Sequence, residues 1–244
     1  MAVKMEAERA NILRPEDRLP PSQQKEEGKE RTPKPKSGAN LPYQRQLQAM
    51  KDLGINYDHD DRSEVTEANG WRIDSYQTGL PPEPPGAPID GGSFVAAKAV
   101  LQDYSFVDPD LIRGYYDPEA PLLGRVMLLK VKVFKLFRFE FGVRVNQVID
   151  EVTEGEYIWG YAYQTLQGHF EMGEITFKVA KEKATGNVVF RINAYSKLDR
   201  IRNLVYRVGA RLFARRLQLR YADYALKRLP QMVQERLKTG GAGK

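Results

Sequence analysis

The chain has 244 residues, 41% of them hydrophobic and 29% charged, a net charge of +6 and no cysteine. That length suits one domain with an appended tail, and the apolar–charged balance is that of an ordinary soluble globular protein. Without cysteine there is no disulfide, no thiolate metal ligand and no thiol nucleophile.

The first residues mix Lys4, Glu6, Glu8 and Arg9 with small side chains, with no apolar core of a secretory signal. Residues 1–42 lack periodic hydrophobicity and are crowded with Pro, Lys and Glu, as in Pro20, Pro21, Pro33 and Pro35. Such a segment buries too little apolar area to offset chain entropy, so a disordered tail is expected. Tyr43 to Leu53 reads as a short helix ended by Gly54, and the acidic stretch from Asp58 through His59 to Asp61 reads as a solvated loop. Pro81, Pro82, Pro84 and Pro85 force the segment from Leu80 to Gly86 to be extended. It is expected to lie as a strap across the domain, so residues 43–92 form a strap with a short helix.

Regular structure is expected from Ser93. Ser93 to Val107 reads as a first strand, and Asp108 with Pro109 carries the cap and first-turn proline of a short helix. Met127, Leu129, Val131, Val133, Phe137 and Phe139 alternate with Lys and Arg, a period-two pattern with one buried face. Lys130, Lys132, Lys135 and Arg138 break the same run, so it cannot be a membrane-spanning helix, and the cytoplasm is the expected location. Val143, Val145 and Ile149 continue on a second segment, Tyr157, Trp159, Tyr161 and Tyr163 on a third, and Ile175, Phe177 and Val179 on a fourth. Ala184 to Asn187 is a hairpin turn leading to Val188, Phe190, Ile192 and Ala194. Finally Ile201, Val205, Val208, Leu212, Leu219, Ala222, Leu226, Leu229 and Val233 recur at helical spacing, with Asp199 as cap and Pro230 as stop or kink. The fold class expected is therefore α+β: a curved antiparallel sheet gripped by a long carboxy-terminal helix, spanning residues 93–237, with 238–244 as a flexible end.

The stretch from Trp159 to Glu174 is the densest in groups that bind, with one of two tryptophans, one of two histidines and two carboxylates. Its block from Gly160 through Tyr163, Thr165, Leu166, Gly168, His169, Glu171 and Gly173 to Glu174 resembles the Gly-x-x-Tyr-x-Thr-Leu-x-Gly-His-x-Glu-x-Gly-Glu pattern of the domain of unknown function nineteen-ninety. Phe190 to Ser196 resembles that family's Phe-x-Ile-x-Ala-x-Ser strand, and the arginine-rich stretch through Arg215, Arg216 and Arg220 its closing helix. Phe170 stands where the family usually has proline. The family is similar to the helix-grip superfamily of START domains and plant pollen allergens. The resemblance implies that fold and leaves function open.

Trp159, Tyr161, Tyr163 and Thr165 share one face of a strand. Facing inward they line a pocket for a ligand; facing outward they stack under the proline strap. Both orientations fit the spacing. His169 and Glu171 share a face, with Glu174 on the other unless a bulge at Gly168 or Gly173 shifts the register. His169, Glu171 and Glu174 are the candidates for acid–base chemistry, and His169 and Glu171 also for ligand contact; the competing reading is that they tie strand ends together. No metal site, cofactor fingerprint, phosphate loop or nucleophile elbow is expected.

Positive charge is concentrated late: twelve Lys or Arg against three acids lie between Lys197 and Lys238, leaving the rest net acidic. Arg207, Arg211, Arg215, Arg216 and Arg220 are expected to form a basic surface that meets an anionic membrane or ligand headgroup, or else pairs with carboxylates on the sheet rim. With only Tyr221 and Tyr224 beside them, a nucleic-acid partner is not expected. Three functions fit: a cytoplasmic module binding a small apolar or amphipathic molecule, an enzyme of cyclase type in the same cavity, and an interaction protein acting through its basic helix. The first is the expectation.

Overall fold

A computed structural model of the chain describes residues 43–57, 62–133, 137–198 and 204–240; for 133, 137, 204–213 and 240 it describes the backbone alone. The expected tail over 1–42, the acidic cluster at 58–61 and the Asp199 cap lie outside these residues. The elements are α1 (Gln44–Lys51), β1 (Arg72–Leu80), α2 (Ser93–Gln102), β2 (Ile112–Tyr116), β3 (Val126–Val133), β4 (Phe137–Val152), β5 (Glu156–Thr165), β6 (Glu171–Glu182), β7 (Val188–Leu198) and α3 (Leu204–Gly240). The strands form one antiparallel sheet in the order β1-β7-β6-β5-β4-β3-β2. Strands β2 to β7 make a meander, and β1 closes the edge beside β7.

Helices α2 and α3 cover one face of the sheet. Alternation on β6 and β7 turns Phe177, Val179, Phe190 and Ile192 into this core, where they meet Ala97, Val100 and Leu101 of α2. From α3 the core receives Tyr221, Ala222, Ala225, Leu229 and Val233, spaced as one helical stripe. The helix does not stop at Pro230 but runs through it, because Leu229 and Val233 are fully buried on either side. Their packing offsets the lost hydrogen bond of the proline.

Three expectations are corrected. Ser93 to Gln102 is a helix, not a strand. Ala96, Ala97 and Ala99 favour helix, the buried residues Phe94, Ala97, Val100 and Leu101 follow a helical stripe, and Glu83 Oε1 accepts from the Phe94 N–H at the first turn. Asp108 begins only a single turn, with Leu111 and Ile112 N–H bonded to its carbonyl, before the chain enters β2. The run from Met127 to Phe139 is two strands, not one, since Val133 pairs with Phe137. Those partners stand four positions apart, an even step, so the period of two passes from one strand to the next undisturbed.

The segment read as a strap holds a strand as well: Arg72 to Leu80 pairs along β7. Beyond it, Glu83 N–H donates to Gly186 O and Gly86 N–H to Lys183 O, fixing the prolines against the β6–β7 turn. Lys181, fully buried, donates to Glu83 Oε2 at 2.8 Å and to Ala87 O at 2.7 Å. Gly186 has φ +76, and a Cβ there would stand 1.9 Å from Glu83 O, so the turn admits only glycine.

Candidate functional site

Between the concave face and α3 the described residues leave a space of about 170 Å³. Its walls are apolar, with Ile112, Leu129, Val131, Phe141, Val143 and Leu217 contributed by β2, β3, β4 and α3. Polar residues on its boundary draw on elements far apart in sequence: Asp74 of β1, His169 of the β5–β6 connection, Glu171 at the start of β6, Ser196 of β7, and Gln218 of α3.

These polar groups form one network. The Gln218 amide Nε2 donates to Glu171 Oε1 and to Ser196 Oγ, both at 2.9 Å, while its oxygen accepts from Arg72 at 2.9 Å. Arg215 reaches both oxygens of Asp74 at 2.8 Å, and the Tyr76 hydroxyl donates to the same carboxylate at 2.8 Å. Burial in these surroundings pushes the Glu171 carboxyl up to about 7, against the opposing pull of Arg72 and the Gln218 hydrogen bond. Burial, reinforced by the Asp74 charge, pushes the Tyr76 phenol up as well.

His169 sits at the tip of the β5–β6 connection, its ring 4.5 Å from that of Phe141 and 5.1 Å from that of Phe170. Its Nδ1 accepts from the Glu171 N–H at 3.0 Å, which leaves the ring proton of the neutral imidazole on Nε2. The connection is stitched to the segment after α1: Gln167 N–H donates to Gly54 O, and Asn56 Nδ2 donates to Glu171 O at 2.9 Å. The Thr165 hydroxyl donates to Asn56 Oδ1 at 2.6 Å and accepts from the Gly173 N–H at 3.0 Å.

The aromatic face of β5 points inward. Trp159 and Tyr161 are nonetheless core residues that do not border the space: Trp159 lies under Lys98 of α2, and the Tyr161 hydroxyl donates to Leu101 O. Tyr163 and Thr165 do border it. Tyr163 belongs to a buried hydroxyl cluster in which Tyr104 lies 3.2 Å from Tyr163 and 3.3 Å from Tyr221, and burial raises all three phenols. The register of β6 stays regular through Gly173, and the bulge falls on β4 between Val145 and Gln147 instead. Glu174 borders the space too, but alternation turns its carboxylate to the opposite face, where it accepts from Asn146 Nδ2 at 2.8 Å.

The basic helix is less free than its sequence implies. Arg215 is committed to Asp74 and Arg220 to Asp108, each at 2.8 Å, whereas Arg216 is exposed; Arg207 and Arg211 fall where the backbone alone is described. Residues that sequence reading missed are Arg72, Asp74, Ser196, Gln218, Asn56 and Tyr104. Only Asp74 and Tyr76, sharing a face two residues apart, left a signal, and it put a charge where alternation expects an apolar side chain.

An open, curved antiparallel sheet closed by a long carboxy-terminal helix over a lined space is a helix-grip fold. The sequence model of the domain of unknown function DUF1990 matches residues 57–223, and the chain belongs to that family. Solved structures similar in architecture include a norcoclaurine synthase point mutant of Thalictrum flavum in complex with a transition-state analogue, at 9% identity and a TM-score of 0.42, covering 68% of this chain and 95% of that one. Ara h 8.0201 shares 12% identity at a TM-score of 0.37, covering 68% and 99%. The di-domain ARO/CYC StfQ from the steffimycin biosynthetic pathway shares 11% at 0.40, covering 74% and 54%. No curated protein matches in sequence. Among the described residues no helix is long and apolar enough to cross a membrane.

Proposed function

We propose that the protein is a cytoplasmic binding module for a small apolar or amphipathic molecule held between the concave face and α3. One observation carries this reading: an apolar-walled space of about 170 Å³ lies between the sheet and α3, and polar side chains from β1, β6, β7 and α3 converge on it. Apolar concavities with a few placed polar groups are what small-molecule sites look like. The test is native mass spectrometry of the protein purified from its own host, with solvent extraction of whatever is released. A stoichiometric adduct of about a few hundred daltons is expected. A bare mass together with no thermal shift on adding apolar probes would remove the reading.

A second reading, acid–base chemistry in the same space, is favoured by one feature. Glu171 titrates near 7, where a carboxyl can both give and take a proton at working pH. Its test is turnover of a bound carbonyl compound by the native chain and by Glu171→Gln, and equal rates in the two would dismiss it.

A further inference from the structure

Resting on the binding reading, we propose that the ligand is a small amphipathic amine whose ammonium group pairs with Glu171 and whose far end carries an oxygen that accepts from the Tyr104, Tyr163 and Tyr221 hydroxyl cluster.

The first half follows from which polar groups are already spent. Asp74 also borders the space but is already paired with Arg215 and Tyr76. Arg72 is separated from Glu171 by the Gln218 amide, which takes the guanidinium on its oxygen and turns its nitrogen to Glu171 Oε1. Glu171 Oε2 has no hydrogen-bond partner among the described residues, and Glu171 borders the space. No described Lys or Arg is among the bordering residues; His169 is, and it offers Nδ1 to the Glu171 backbone, not to the carboxylate. An unspent carboxylate oxygen against apolar walls is best matched by a charged N–H donor, since charge-assisted hydrogen bonds are the strong ones. The rings of Phe141 and Phe170, 5.0 Å apart at the same end, offer π faces to the same cation.

The second half follows from counting protons. Three phenols bring three O–H donors, all protonated because burial raises each of them. Two hydrogen bonds, both through Tyr104, consume only two of those donors. Whenever Tyr104 donates to one partner, the other must donate to Tyr104, so the surplus proton sits on the partner that accepts, and both Tyr163 and Tyr221 border the space. A ligand oxygen that only accepts would satisfy it. The two stations are separated along the sheet: Tyr163 is opposite Ile175, four residues along β6 from Glu171, about 13 Å of strand. The volume between them resembles the cavity of about 150 Å³ that holds one benzene. A ring with a short amine-bearing arm and an ether or carbonyl oxygen opposite fits both measures.

The experiment is calorimetric titration of the full chain with 4-methoxyphenethylamine, its matched alcohol, 4-methoxyphenylacetate and uncharged 4-propylanisole, at pH 6 and pH 8. The amine is expected to bind about tenfold tighter than the alcohol at pH 8, as one charge-assisted bond gives, with the margin shrinking at pH 6 as Glu171 takes up a proton. Glu171→Gln should erase that margin. Tyr163→Phe combined with Tyr221→Phe should weaken the methoxy amine relative to phenethylamine. If the alcohol or the acid matches the amine, or if Glu171→Gln keeps the preference, the amine inference is overturned while the binding reading stands. If none of the four probes binds, including propylanisole, both fall together.

Discussion

The side-chain amide of Gln218 donates to Glu171 Oε1 at 2.9 Å, and through it the last helix is fastened to the first residue of β6. The same amide also meets Arg72 and Ser196, so one uncharged residue organises groups from β1, β6, β7 and α3. It separates a guanidinium from a carboxylate that would otherwise pair directly, and so keeps Glu171 poorly compensated and near neutrality in its titration.

That titration makes stability depend on pH. Glu171 is raised from 4.5 in the unfolded chain to about 7 in the folded one. Below the lower value both states hold the proton and nothing is lost. Between the two, the unfolded chain releases its proton first, so stability falls as pH rises, by about 3 kcal/mol in all, and is level above 7. Glu171→Gln is expected to abolish this slope, melting higher than the native chain at pH 8 and equal to it at pH 4. Thermal melts across that range give the answer.

Arg215 and Arg216 are adjacent in sequence and opposite in role. Arg215→Gln leaves the buried Asp74 carboxylate without its cation and should cost about 2–3 kcal/mol in urea unfolding. Arg216→Gln removes an exposed charge and should stay within about 0.5 kcal/mol. Equal effects would mean the Asp74 pair is not formed in solution.

Lys181 and Glu83, 0% and 2% exposed at their side chains, are the most deeply buried ion pair among the described residues. Lys181→Met should destabilise by about 3–5 kcal/mol because it strands a buried carboxylate. Adding Glu83→Gln should restore more than half of that loss, since glutamine still offers an oxygen to the Phe94 N–H at the start of α2. The double-mutant cycle in urea measures the coupling.

Asn56 is the clasp on the His169 turn. Asn56→Ala removes the acceptor of the Thr165 hydroxyl and the donor to Glu171 O, at an expected cost of about 1–3 kcal/mol. Amide exchange from Leu166 to Glu171 should quicken while that of α3 between Leu217 and Val233 stays slow.

The strands from β5 onward and the closing helix could be read from period alone, because each keeps an apolar face or stripe, whereas β2 and the β3–β4 reversal could not. β1 was hidden because its pattern is inverted at one end: Ile73 is 50% exposed and Asp74 8%. Helix α2 was hidden because its Phe, Val and Leu also favour strands, and its start depends on Glu83, ten residues ahead of Ser93. Within the site, His169 and Glu171 were visible as a pair on one strand end. Their partners Arg72, Asp74, Ser196 and Gln218 come from other elements at separations no motif spacing records. Trp159 and Tyr161 carried the strongest composition signal and prove to be packing beneath α2, which shows how alike a buried aromatic wall and a pocket wall are in one dimension.

The pairing of β1 with β7 has a consequence for when the protein becomes competent during synthesis. Strands β3 to β7 each join the strand made just before, but Tyr76 waits for Ile192 to leave the ribosome, and Gln218 follows later still. Until then Arg72 and Asp74 have nothing to dock on, and a chain cut short anywhere before α3 has no closed space at all. Formation of the space is thereby deferred until α3 has been made, and under the proposed binding reading ligand retention would assay whether β1 and α3 have met.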